Sequence, residues 1–129
     1  MYVYNNDINI SGTVGIGLDG DENVGLKYAW ILNNNISNTG SRGLGEGIAV
    51  SGRYICIANN SVYNAGAHGI LLFLNHTGTQ YHWVDSNTSD YNQAGEGNGI
   101  MVKFSGNARF DVKTFMTILL LIPNIMLIK

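Results

Sequence analysis

Few side chains in this sequence are of a type that could do chemistry, and their worth depends on spacing. Glu46, His68 and Asn98 each precede a Gly-Ile pair: Gly47-Ile48, Gly69-Ile70 and Gly99-Ile100. Stacked one above another, they would form a polar column of carboxylate, imidazole and amide, with Arg42 and Glu96 nearby. A carboxylate beside an imidazole can serve acid–base catalysis, since each favours the charged form of the other. Polar residues at a solvated loop edge more often have no such role. A second set is aromatic: Tyr28, Trp30, Tyr54, Tyr81 and Trp83, at alternate positions of three apolar runs. Each has an apolar face and a polar tip, which suits stacking on sugar rings. The same stripe could instead pack under a loop or against another subunit as a homo-oligomer.

The other candidates are weaker. Cys56 falls in the aromatic alternation, where a lone cysteine is usually a small packed hydrophobe. It also excludes an internal disulfide and a thiolate metal cage. His82 takes the inward parity of its run, beside Val84, and reads as a satisfied core histidine. His76 belongs to a loop. The acidic run Asp19-Gly20-Asp21-Glu22-Asn23 has oxygens for Ca²⁺ but lacks the full binding loop and its terminal bidentate Glu. A solvated turn fits it better, and no cofactor or metal site is expected.

The elements that must position these residues follow from an internal repeat. Four segments share an aliphatic residue, a turn pair ending in Asn, and usually a second aliphatic residue: Val3–Ile8, Ile31–Ile36, Ile57–Val62 and Val84–Ser89. The pair's Asn recurs at 6, 34, 60 and 87, intervals of 28, 26 and 27 residues. Between them stands a second marker: Gly15-Ile16-Gly17-Leu18, Gly47-Ile48-Ala49-Val50, Gly69-Ile70-Leu71-Leu72 and Gly99-Ile100-Met101-Val102. Side chains alternate across a strand, so Ile48 and Val50 face in while Ala49 faces out. Ile55 and Ile57 begin a second inward set and Val62 a third. Asn suits the bend between them because it tolerates left-handed backbone angles. Stacking would superpose Asn6, Asn34, Asn60 and Asn87, so that their amides bond along the stack. Each coil then buries its inner face only against its neighbours, as in a solenoid.

No sustained helical spacing occurs before residue 110, and Gly and Asn interrupt every window. An antiparallel sandwich would need short strands but not two markers in phase. The expected fold is therefore all-β, a right-handed parallel β-helix of about four coils over residues 1–112, truncated at its start. These Asn pairs and Gly-Ile segments resemble the right-handed parallel β-helix proteins of the pectate-lyase-like superfamily, including NosD-like periplasmic proteins. That resemblance implies an extracellular or periplasmic protein that binds or processes polysaccharide, as a lyase, hydrolase or epimerase. It equally includes non-catalytic scaffolds, and fold does not settle the choice.

Composition narrows the partners. Only 12% of the 129 residues are charged and the net charge is −2, with Lys and Arg scattered, so nucleic acid has no electrostatic footprint. After Val112 the repeat is lost. The apolar stretch 115–128 is 14 residues broken by Pro123-Asn124, against about 20 for a membrane-spanning helix. Residues 113–129 read as a hydrophobic end cap or, preferably, as a frameshift. Read from the third base of the Lys113 codon, the codons of Lys113–Ile118 can encode Asn-Ile-Tyr-Asp-Asn-Ile, which restores the repeat phrase.

Overall fold

The computed structural model describes residues 1–9, 11–20, 26–42, 45–74, 80–93, 97–104, 112–117 and 125–128. They form strands and turns only. The strands come in rungs of three. The first rung is β1 (Tyr2–Tyr4), β2 (Asp7–Asn9) and β3 (Ile16–Leu18); the second is β4 (Lys27–Leu32), β5 (Asn35–Ser37) and β6 (Ile48–Ser51). The third is β7 (Arg53–Ala58), β8 (Ser61–Tyr63) and β9 (Ile70–Leu74), and the fourth is β10 (Gln80–Asp85), β11 (Thr88–Asp90) and β12 (Ile100–Phe104). Two further strands follow, β13 (Val112–Thr117) on β10 and β14 (Ile125–Ile128) on β12.

Every pairing is parallel, and equivalent strands of successive rungs are neighbours. The first sheet runs β1-β4-β7-β10-β13, the second β2-β5-β8-β11 and the third β3-β6-β9-β12-β14. From β1 to β10 the chain goes round about three times, so the four repeats become a parallel β-solenoid of about three turns. Strands at the expected Gly-Ile and Asn phrases, in the expected register, are what the 26–28 residue period predicted.

The core is the set of inward columns. Ile16, Ile48, Ile70 and Ile100 stack in the third sheet, Ile8, Ile36 and Val62 in the second, and Ala29 and Ile31 meet Ile55 and Ile57 in the first. Most are fully buried. Each such aliphatic side chain contributes roughly 1.5–3 kcal/mol when removed from water. His82 lies inward at 2% exposure, as its parity predicted, and Ser89 continues the Ile36–Val62 column.

The corners separate two jobs within the Asn pair. The first residue turns the chain: Asn5, Asn33 and Asn59 take φ of 55° and Ser86 of 52°. The second builds the ladder. Asn6 Nδ2 donates to Asn34 Oδ1 at 2.8 Å, Asn34 Nδ2 to Asn60 Oδ1 at 2.9 Å, and Asn60 Nδ2 to Asn87 Oδ1 at 2.9 Å. Each Oδ1 also accepts the backbone N–H of the Asn one rung before it. Asn34, Asn60 and Asn87 Nδ2 donate as well to the carbonyls of Val3, Ile31 and Ile57. Buried amides are thus satisfied along the stack, as buried polar groups must be.

The marker glycine is set by close approach. A Cβ on Gly47 would fall 2.3 Å from Val62 Cγ1 and 2.7 Å from the Gly69 carbonyl. The third sheet can therefore follow the second around the corner only if this column carries no side chain.

Candidate functional site

Two outer faces carry the candidate residues. On the third sheet, Gly17, Ala49, Leu71 and Met101 lie in register, facing away from the core columns. Gly17, Ala49 and Leu71 border a groove of about 480 Å³ in which Asp19 is the one ionisable group among the described residues. Among the described residues, the rest of that lining is apolar apart from Ser51.

The polar column forms beside this groove in the predicted order. Gly15 N–H donates to the Glu46 carbonyl at 3.1 Å, Gly47 N–H to that of His68 at 3.1 Å, and Gly69 N–H to that of Asn98 at 2.9 Å. Val14, Glu46, His68 and Asn98 therefore occupy successive rungs. Glu46 and His68 are half-buried, and Asn98 is buried. His68 Nδ1 accepts the Asn98 backbone N–H at 3.3 Å, with Asn98 Nδ2 3.5 Å away. That contact puts the neutral ring's proton on Nε2. Among the described residues no hydrogen bond or ion pair joins Glu46 to His68. Arg42 lies along Gly12, 3.5 Å from where its Cβ would stand. Glu96 and His76 lie outside the described residues, as does the acidic turn beyond Gly20.

The first sheet carries the aromatic stripe. Tyr28, Trp30, Tyr54, Tyr81 and Trp83 share its outer face as alternation required, and Tyr2 joins them opposite Trp30. Tyr28 and Tyr54, however, have φ of 58° and 57° inside their strands. Bulky residues rarely adopt this left-handed region. The kink explains why Lys27 is exposed although strict alternation would put it inward with Ala29 and Ile31.

The rings stack on one another. Tyr2 and Trp30 are 4.7 Å apart at 12°, Tyr28 and Tyr54 4.9 Å at 12°, and Tyr54 and Tyr81 5.7 Å at 19°. Tyr28 and Trp30 lie side by side at 6.5 Å. The tyrosine column presents largely its edges and hydroxyls to solvent, because its faces cover each other. Trp30, Cys56 and Trp83 are in register in the neighbouring column, and a cavity of about 330 Å³ opens over Cys56. Burial pushes the Cys56 thiol above its ordinary pKa, and the Asp85 carboxylate adds to the shift.

A second side-chain ladder was not foreseen. Asn38 Nδ2 donates to Asn9 Oδ1 at 2.7 Å, Asn64 Nδ2 to Asn38 Oδ1 at 2.7 Å, and Gln93 Nε2 to Asn64 Oδ1. It lines the corner after the second sheet, where Asn38, Asn64 and Tyr91 are left-handed. Asn recurring at 9, 38 and 64 was its signal, obscured where Gln93 ends the series.

Among the described residues no group of three His, Cys, Asp or Glu could hold a metal ion, and no helix is long and apolar enough to cross a membrane. No family model, curated protein or solved structure matches the chain.

Proposed function

We propose that this β-solenoid is a polysaccharide-binding protein whose ligand lies along the outer face of the first sheet. One observation carries this reading: a contiguous aromatic surface, with Tyr2, Tyr28, Tyr81 and Trp83 exposed by 64, 54, 44 and 46%. An exposed apolar patch of this kind marks an interaction surface. Rings with polar rims suit a ligand that alternates C–H faces with hydroxyl edges. Binding without turnover is favoured, because Glu46 and His68 share a column but no hydrogen bond or ion pair among the described residues, and they flank a largely apolar groove. The protein acts outside the cytoplasm in this reading, in keeping with its resemblance to pectate-lyase-like β-helices.

Affinity electrophoresis of the full chain through gels containing β-glucan, xylan or polygalacturonate tests it. Retardation by at least one polymer is expected, weakened about tenfold by Trp83→Ala, a loss of about 1.4 kcal/mol. Unchanged mobility in all three overturns the reading. Product release by the wild type that is lost in Glu46→Gln and His68→Ala would instead establish polysaccharide processing at the polar column.

A further inference from the structure

Among the described residues, the aromatic column of the first sheet is interrupted at Cys56, where a cavity opens. Tyr2, Trp30, Cys56 and Trp83 occupy one register column on four successive rungs of the first sheet. Three of the four positions carry rings, and the third rung carries a thiol. Successive rungs are about 4.8 Å apart, so Trp30 and Trp83 are separated by about 9.6 Å across the Cys56 rung. In the adjoining column Tyr54 fills the same rung, 4.9 Å from Tyr28 and 5.7 Å from Tyr81. The space over Cys56 is therefore about one ring thick, with Trp30 and Trp83 on the rungs to either side, Tyr54 next to it on the same rung and a half-buried thiol as its floor.

Its rim selects among rings. Asp85 follows Trp83 by two residues on the same face and pairs with Ala58, the residue two beyond Cys56, so it stands in the column next to the slot. Its Oδ2 accepts from Ser86 Oγ at 3.2 Å. A carboxylate beside the slot disfavours a phosphorylated or carboxylated occupant and favours one that donates O–H groups from its edge. A purely aromatic occupant would add no donor to the one that Ser86 supplies.

We propose that the slot over Cys56 holds a single neutral pyranose, its two C–H faces against Trp30 and Trp83 and its hydroxyl edge toward Asp85. This rests on the polysaccharide reading of the first sheet and names the sugar-ring subsite within it. The rest of the ligand runs over the tyrosine edges.

The chain's two tryptophans and its one cysteine all lie at this slot, so native reporters suffice. The full chain is titrated with cellohexaose, xylohexaose and chitohexaose, following tryptophan fluorescence and the rate of Cys56 alkylation by iodoacetamide. At least one sugar should slow alkylation tenfold or more at saturation. Cys56→Trp, which fills the space over this rung, should lose binding at least tenfold. The alkylation readout uses wild type and stands even where the bulky variant fails to fold. Protection by none of the three sugars overturns the slot. A sugar that binds Cys56→Trp as well as wild type also overturns the slot, while the polysaccharide reading survives. Protection by indole or adenosine but by no sugar assigns the slot to a planar ring and overturns the pyranose.

Discussion

Replacing Asn60 by Ala should be the most damaging single deletion in the Asn ladder. Its Oδ1 accepts both the backbone N–H and Nδ2 of Asn34, each at 2.9 Å. Its Nδ2 serves the Ile31 carbonyl at 2.9 Å, the Ala58 carbonyl at 3.1 Å and Asn87 Oδ1 at 2.9 Å. Not all of these partners would be stranded. Asn34 Nδ2 keeps Val3 O, Asn87 Oδ1 keeps the residue 60 N–H, and the Ala58 carbonyl keeps the Asn33 N–H. The Asn34 N–H and one lone pair on Ile31 O are left unserved, and Asn34 is only 2% exposed. Each buried orphan costs about 1–3 kcal/mol, so a loss of about 3 kcal/mol is expected. At Asn6 the side chain is exposed, and Asn34 Oδ1 still accepts the residue 6 N–H. Asn6→Ala should therefore cost less than about 1 kcal/mol. Urea unfolding followed by circular dichroism measures both, and hydrogen exchange at the Asn34 amide should speed up by about two orders of magnitude in Asn60→Ala. Equal, small losses for the two variants would refute the view that the ladder stabilises through buried satisfaction.

Gly47→Ala should destabilise by about 1–3 kcal/mol through overpacking, and Gly47→Ala/Val62→Ala should recover part of that in the same unfolding assay. Recovery is incomplete because the new methyl still meets the Gly69 carbonyl. The Cys56 thiol, raised first by burial and then by Asp85, should alkylate slowly near neutral pH and faster as pH rises. Asp85→Asn removes one of the two causes and should shift the rate profile to lower pH; an unchanged profile would contradict the placement of that carboxylate. Cys56→Trp should raise the midpoint of thermal unfolding by completing the Tyr2–Trp30–Trp83 column, by about 1 kcal/mol of stacking.

Most of the fold was legible because a solenoid writes its geometry as a period. The Asn at 6, 34, 60 and 87 and the Gly-Ile phrases are each one physical requirement repeated, a satisfied buried amide and a corner with no room for Cβ. Alternation then fixed which side chains share a face, and so it brought Trp30, Cys56 and Trp83 together. What escaped were features without a propensity signal. Tyr at a left-handed position contradicts residue preference, so nothing marked Tyr28 and Tyr54 as kinks. Parity gives the face a ring lies on but not the tilt of its plane. Alternation therefore gives a shared aromatic face, whereas only the ring planes show that its tyrosines stack on each other beside the cavity over Cys56. The polar column was legible in its register, while the Asn98 N–H engaging His68 in place of Glu46 depends on side-chain direction.

The most direct test of the central claim, that sugars bind the first sheet's outer face, is a titration of ¹⁵N-labelled protein with the three hexaoses, watching the indole N–H signals. The chain has two tryptophans, so two signals are expected, from Trp30 and Trp83. Both should move together with one midpoint for at least one sugar. If a hexaose binds while both indoles stay still, or if no hexaose moves either, the first sheet is not the carbohydrate-binding face.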